Sequence, residues 1–283
     1  MTTAGELIEE GRRRLRAASD RIGYTGFERA DAADLLQHAL GHTPRAREEV
    51  GGAARRRYEG LIARRARGEP MPYIVGWTEF RGLRLSVRPG AFVPRATTEF
   101  LAAQAIRRLR GRQRAVALDL ATGIGPVALA VAATVPRTRV YGVDVAAAAV
   151  AQARRNARAL RLRNVSFHTG DLFAPLPRAL RADVITIHPP YVARAEVREM
   201  PDEVRRFEPV VSLTDGSDGL RLIHRVAAEA PERLSPDGWL LMEVGSYVSR
   251  RVKAIFGDAG FREVRSTQGP MPFTRVIVGR APR

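Results

Sequence analysis

AVALDLATGIGP, residues 115–126, begins as an apolar run with no helical periodicity and ends on two glycines and a proline. A short apolar run bounded by turn residues reads as a buried strand. Gly123 and Gly125 let the backbone turn tightly and approach a ligand with no Cβ in the way. Pro126 suits the first helical position, where its missing N–H costs nothing. The stretch therefore reads strand, turn, helix. The same alternation continues downstream. Strands are expected over 139–144, 165–168, 182–187 and 239–244, with closing strands over 261–266 and 273–279. Helices are expected from 126 and over 146–160, 220–234 and 247–259, and a loop rather than a helix after 182–187. This pattern predicts an α/β, doubly wound, mostly parallel sheet covered on both faces. Its ligand belongs at the carboxyl ends of the strands.

Upstream the pattern differs. Leu7, Ile8 and Leu15 recur at helical spacing, as do Ala32, Leu35, Leu36, Ala39 and Leu40, with Gly41 as a stop. A third helix over 53–67 turns Tyr58, Leu61 and Ile62 inward, and no strand alternation appears. Residues 77–87, WTEFRGLRLSV, read as a hairpin turning at Arg81-Gly82. The expected domains are a helical unit over 1–72, a hairpin linker over 73–95 and the α/β unit over 96–283.

Composition narrows the function classes. With 283 residues, 45% hydrophobic and 27% charged, the chain is ordinary globular material and not a disordered one. It has no cysteine, which excludes a disulfide scaffold, a thiol nucleophile and cysteine-ligated metal. No His/Asp/Glu cluster has metal-ligand spacing, so no metal is expected. No apolar run reaches about 18 residues, and the first ten residues carry three glutamates, so neither a spanning helix nor a signal peptide is expected and a cytoplasmic protein is. The net charge of +17 is almost all arginine, since Lys253 is the single lysine. The arginines are dispersed and no aromatic residues interleave with them, so they read as solvated helix faces rather than a nucleic-acid surface.

The chemistry-bearing residues lie where strands end. Asp144 closes its strand 19 residues after Gly125, where an acid accepts hydrogen bonds from both ribose hydroxyls. With the turn Ala121-Thr122-Gly123-Ile124-Gly125 it indicates a nucleoside-bearing ligand. Ala128, three residues past Gly125, also satisfies a dinucleotide fingerprint, so a nicotinamide dinucleotide is a rival. Asp119 argues against it: a carboxylate at the end of that strand repels a pyrophosphate and welcomes a cationic amino-acid end. S-adenosylmethionine carries an ammonium and a sulfonium and has no phosphate. Asp171 and Leu172, after the third strand, offer an acid and an apolar side chain to an adenine. After the fourth strand comes His188-Pro189-Pro190-Tyr191. The prolines fix the backbone and remove two donors, leaving carbonyls beside His188, and Tyr191 can wall an acceptor pocket. His168 sits within a strand and reads as structural.

Together these stretches resemble the HemK/PrmC-like group of class I S-adenosylmethionine-dependent methyltransferases, over nearly the whole chain. The similarity includes Asp34-Leu35-Leu36, Pro72-Tyr73-Ile74-Val75-Gly76, Glu79-Phe80, Gly82-Leu83, Phe92-Val93-Pro94-Arg95, Thr98-Glu99-Phe100-Leu101, Phe207-Glu208-Pro209, Asp215-Gly216 and Asp218-Gly219-Leu220. The resemblance implies a seven-stranded Rossmann-like sheet and a small helical domain that docks substrate. It also implies cofactor contacts at residues 121–125, Asp144, Leu172 and His188, with S-adenosylhomocysteine as product. Members methylate the side-chain amide nitrogen of glutamine in peptide-chain release factors.

Three departures from the family pattern bear on the acceptor. The family's catalytic loop is Asn-Pro-Pro-Tyr, whose Asn and following Pro carbonyl grip the amide; here His188 replaces the Asn. Ala121 stands where a glycine is usual, and Arg95-Ala96-Thr97-Thr98-Glu99 lacks the family's second proline and first glutamate. An imidazole titrates near neutral pH and can act as a general base, which an amide cannot. The leading expectation is therefore alkyl transfer to a small aromatic or natural-product acceptor, with His188, Pro189 and Tyr191 catalytic. A sulfonium displacement that closes a cyclopropane is a variant of it. The first alternative is glutamine methylation of a release-factor-like protein. The second is a non-catalytic cofactor-binding scaffold.

Overall fold

The computed structural model describes residues 2–23 and 26–282. The expected domain ranges also take in Met1, Tyr24, Thr25 and Arg283, which lie outside the described residues. The chain forms two compact units. One comprises Met1–Trp77 with Arg198–Glu208, the other Thr78–Val197 with Pro209–Arg283. The hairpin expected as a linker thus falls mostly with the second unit, and eleven residues from the middle of the α/β region fold with the first.

The first unit contains β1 (Thr2–Thr3), α1 (Ala4–Arg16), α2 (Ser19–Ile22), α3 (Glu28–Leu40), β2 (Glu49–Val50), α4 (Gly52–Ala66) and α5 (Met71–Val75). A reciprocal capping box starts α1: Glu6 N–H donates to Thr3 Oγ1, and Thr3 N–H donates to the Glu6 carboxylate. The expected inward residues do form the core, with Leu7, Leu15, Leu35, Leu36 and Ile62 almost fully buried. The Tyr58 hydroxyl is satisfied there by the carbonyl of Leu7 at 3.0 Å. The expectation of no strand is corrected: Thr2 and Thr3 pair antiparallel with Val50 and Glu49. Two residues are too few to show a period of two. Within this unit the fully buried Arg65 pairs with Asp31 at 2.8 Å and Glu203 at 3.1 Å. Glu203 lies on α9 (Asp202–Phe207), so this ion pair ties the returning segment to the helices. Removing one partner of such a buried pair costs about 3–5 kcal/mol.

In the second unit, the hairpin of β3 (Trp77–Phe80) and β4 (Leu83–Ser86) precedes α6 (Thr98–Leu109), a helix the sequence reading did not mark. Then follow β5 (Val116–Leu120), α7 (Pro126–Thr134), β6 (Arg139–Asp144), α8 (Ala147–Ala159), β7 (Val165–Thr169) and β8 (Ala182–Ile187). After α9 come α10 (Arg221–Arg233), β9 (Leu234–Gly245), α11 (Ser249–Asp258), β10 (Arg262–Gln268) and β11 (Thr274–Arg280). The seven strands lie in the order β10-β11-β9-β8-β5-β6-β7. Six of the seven run in one direction, while β11 runs against them and pairs antiparallel with both β9 and β10. The stretch after β8, expected to be a loop, holds α9 and two single 3₁₀ turns.

The strand order reverses beside β5, whose neighbours are β6 and β8. That is a topological switch point, where the loops leaving β5 and β8 diverge and open a crevice. The register places the candidate residues along it. Leu120 pairs with Val143 on one side and Ile187 on the other, and Ile187 pairs with Met242. These four side chains belong to one buried cluster on one face of the sheet. The next residue of each strand or turn is Ala121, Asp144, His188 and Glu243, so one row along the sheet's carboxyl end carries them all.

Candidate active site

On the β5–β6 side the site is made of backbone. The Thr122 N–H donates to the Val143 carbonyl, and the Gly125 N–H donates to the Thr122 carbonyl, which closes the turn. Asp144 fixes it from the neighbouring strand: Oδ2 accepts from Gly123 N–H and Oδ1 from Ala146 N–H, each at 2.8 Å. Burial raises the Asp144 pKa above the usual carboxylate range, against the opposing pull of those amide bonds. Gly125 has φ +86°, and a Cβ there would lie 2.8 Å from the Phe167 ring. Both the conformation and the close approach demand glycine. Ala121 also sits at positive φ, +49°.

Asp119 lies beneath the turn and not in the open crevice. It is 4% exposed, and its oxygens accept from the hydroxyls of Thr122 at 2.6 Å and Thr186 at 2.7 Å. Burial pushes its pKa up to about 6, with both hydroxyls acting in the opposite direction. The expected open carboxylate is in fact a tie between β5, its turn and β8. Asp171 departs further from expectation. It is exposed and pairs with Arg225 at 2.8 Å on α10, and nothing turns it toward an adenine. Leu172 is buried in the core, at φ +46°.

On the β8–β9 side the site is made of side chains. His188 is 19% exposed, stacks on Tyr191 with ring centroids 5.8 Å apart, and meets the edge of Phe92 at 5.5 Å. Its Nδ1 is 3.4 Å from Thr98 Oγ1 and 3.9 Å from a Glu243 carboxylate oxygen. Burial lowers the imidazole pKa below 6.5 and Arg95 lowers it further, while Glu243 partly offsets them. The ring is thus neutral at neutral pH, with one donor and one acceptor nitrogen. Arg95 stacks over Phe92 at 4.6 Å. Tyr191 bridges to Thr214 and contacts Tyr247 at 6.2 Å, and burial raises its phenol pKa. Gly219, at φ +79°, lies against the Tyr191 carbonyl so closely that any Cβ would collide with it. His168, on edge strand β7, binds Ser166 Oγ at 3.1 Å and has no part in this cluster.

Known families and proteins match most of the chain. Residues 6–76 match the PrmC N-terminal domain and residues 89–204 the methyltransferase small domain. The release factor glutamine methyltransferase of Bordetella pertussis is 37% identical over 265 residues, 92% of this chain and 97% of that protein. The one from Geobacter sulfurreducens is 39% identical over 221 residues, 78% of this chain and 76% of its own length.

The chain belongs to the HemK/PrmC-like family of S-adenosylmethionine-dependent methyltransferases.

Solved structures share the fold. A methyltransferase from Pyrococcus furiosus superposes with TM-score 0.53 at 17% identity, covering 72% of this chain and 91% of that one. A Thermus thermophilus 16S rRNA methyltransferase gives 0.54 at 18% identity, covering 72% and 49%. As a HemK/PrmC-like enzyme the protein uses S-adenosylmethionine, and the residues of the turn fit that cofactor. A carboxylate offers about four acceptor positions. Asp144 uses some of them on the Gly123 and Ala146 amides, with a further pull from the Val145 amide, which leaves acceptor capacity for a ribose hydroxyl. The Gly123 amide, which a dinucleotide site would turn toward a pyrophosphate, is already bound to that carboxylate.

Three residues of this HemK/PrmC-like site had no role in the sequence reading: Phe92, Thr98 and Glu243. The first two lie in stretches that carry the resemblance. Glu243 had a signal of its own, as the one charged residue in the apolar strand run WLLMEVG, 239–245. A buried acid in such a run asks for a partner.

Proposed function

We propose that this protein transfers the methyl group of S-adenosylmethionine to the side-chain amide nitrogen of a glutamine in a release-factor-like protein. The observation that carries the proposal is end-to-end similarity. The match to the Bordetella pertussis release factor enzyme spans 97% of its length. It includes the helical unit, which a small acceptor does not need. His188 is compatible with the same reading. A neutral imidazole presents an acceptor lone pair to an amide N–H, as the oxygen of an asparagine side chain does. Pro189 and Pro190, without N–H groups, offer only carbonyls to the second amide hydrogen.

When bound, S-adenosylmethionine supplies a methyl group on a positively charged sulfur. The chain's own part is to hold and to receive. Asp144 and the 121–125 turn bind the nucleoside. His188 and the Pro189 carbonyl orient the amide nitrogen, Tyr191 and Phe92 wall it, and His188 Nε2 takes the proton that the nitrogen sheds as it is alkylated. An N-alkylated amide cation is very acidic, so even a weakly basic imidazole accepts that proton. Placement contributes most: correct orientation of two reactants is worth about 7–11 kcal/mol. The lowered pKa of His188 makes it a poor base toward a phenol, which weighs against the small aromatic acceptor. The replacement of Asn by His itself favours that second reading. One assay separates the two. With release factor and methyl-labelled cofactor, label is expected on the glutamine of its Gly-Gly-Gln segment, located by peptide mass spectrometry. An unlabelled release factor beside turnover of a small aromatic acceptor would reverse the choice.

A further inference from the structure

Glu243 is 1% exposed, and neither of its carboxylate oxygens has a hydrogen-bond partner. A buried carboxylate left in that state is expensive, and native proteins rarely tolerate it without a use. The imidazole of His188 lies close by, with its Nδ1 3.9 Å from a Glu243 carboxylate oxygen. The sheet dictates this proximity. Ile187 and Met242 are paired across β8 and β9, and His188 and Glu243 are the residues that follow them.

We infer that Glu243 is a positioning residue that holds the His188 proton on Nδ1 and so keeps Nε2, on the opposite edge of the ring, as a bare acceptor for the amide hydrogen of the substrate. The physical reason is simple. A neutral imidazole beside an anion turns its N–H toward that anion and its lone pair away from it. Every other group around the ring is compatible. Thr98 Oγ1, at 3.4 Å from the same nitrogen, can accept that proton as a hydroxyl can. Arg95, a cation acting on the ring, opposes a second proton on it. Tyr191, stacked on the ring, and Tyr247 beyond it are phenols held neutral by burial. An asparagine in the place of His188 needs no such control, because its oxygen and nitrogen are fixed by covalent structure. A histidine there needs a partner to choose its tautomer. Carboxylates that fix the tautomer of metal-ligating histidines change affinity or activity by about 10- to 100-fold, which sets the scale for an orienting partner. The role stated for Nε2 rests on the glutamine reading, but the tautomer itself does not.

The decisive measurement is nitrogen NMR of the full-length protein carrying ¹⁵N-histidine, with the His188 signals assigned by their disappearance in His188→Asn. The wild-type ring is expected as the Nδ1–H tautomer at pH 8. Glu243→Gln should redistribute the proton toward Nε2 and move the low-pH limb of the rate profile. Its kcat on release factor should fall about 10- to 100-fold with cofactor affinity unchanged. A wild-type ring protonated on Nε2 overturns the inference without any variant, so misfolding of Glu243→Gln cannot protect it. An unchanged tautomer in a folded Glu243→Gln overturns it too. Failure of the glutamine reading shows separately, as wild-type protein that leaves release factor unmethylated whatever its imidazole spectrum.

Discussion

The turn after β5 and the loop after β8 leave adjacent strands at the same level, yet they are built on opposite principles. The turn is backbone: it consists of amides bound to Asp144 and three residues at positive φ, one of them a glycine pressed against Phe167. Its parts lie within about one turn of chain plus one acid from the next strand. The loop is side chain: His188 is framed by Phe92, Thr98, Tyr191 and Glu243, drawn from three separate stretches. A cofactor shared by a whole family can be held by geometry that tolerates only glycine. An acceptor is recognised by groups that can be exchanged one at a time, and in this chain one of them has been.

That contrast breaks most sharply at His188. His188→Ala removes the amide's acceptor and the proton's destination together. It should lower kcat about 10²- to 10⁴-fold, while calorimetry finds cofactor affinity within a few-fold of wild type. Equal losses in both would mean that the two sides of the crevice are one unit. Gly125→Ala should do the reverse. A Cβ at φ +86° meets Phe167 at 2.8 Å and Ala153 at 3.3 Å. The left-handed conformation costs about 1–2 kcal/mol, and the overpacking adds about 1–3 kcal/mol. Denaturant unfolding should register that sum, and cofactor affinity should fall with it. A variant as stable as wild type would show that Phe167 moves aside freely.

The same division explains what could be read from the chain. Strands 139–144 and 182–187 are found where expected, because short apolar runs closed by a turn leave little choice of ends. Gly123, Gly125 and Asp144 were legible as a tight turn beside a strand-end acid because backbone geometry restricts residue type locally. The acids were less so. Asp119 was read as an open carboxylate and is a buried tie between two threonines. Asp171 was read as a ligand contact and is an exposed partner of Arg225. An acid at a strand end looks the same in sequence whether it faces a crevice or a neighbouring hydroxyl. Glu243 becomes meaningful only when β9 is laid beside β8 in register. The acceptor reading shifts for a related reason: His188 read alone is a base, whereas His188 half-buried between Phe92 and Tyr191 has its basicity reduced, and the relatives favour the glutamine alternative.

Asp119 gives the comparison a pH signature. Its pKa is about 6 in the folded protein against an ordinary 3.8. Between those values the folded state keeps a proton that the unfolded chain has shed, so this group makes stability fall as pH rises from about 4 to 6 and adds no slope above that. Two pKa units correspond to about 3 kcal/mol. Asp119→Asn keeps one acceptor oxygen and removes the titration. Urea midpoints at pH 4.5 and pH 7 should therefore favour the variant more at the higher pH. A constant difference between the two proteins would mean that Asp119 is neutral throughout, or that Thr122 and Thr186 hold it charged at both.

The smallest effect expected lies at Ala121, and it has the opposite sign. Ala121 sits at φ +49°, where a Cβ is crowded by its own backbone and a glycine is not. Ala121→Gly relieves about 1–2 kcal/mol of that strain but restores conformational freedom to the unfolded chain, which takes back about 0.4–1 kcal/mol. A net gain of a few tenths to about 1 kcal/mol follows, with the turn's hydrogen bonds to Val143 and Asp144 intact. A rise in Tm of a few degrees with unchanged cofactor affinity would show that the strain is borne by this turn alone. If affinity rises as well, the alanine also holds the turn slightly away from its ligand, and the cofactor side has been altered alongside the acceptor side. If stability falls, the methyl of Ala121 packs usefully against the sheet's buried cluster, beside which it lies half-buried, and the departure from glycine is a packing choice rather than a tolerated strain.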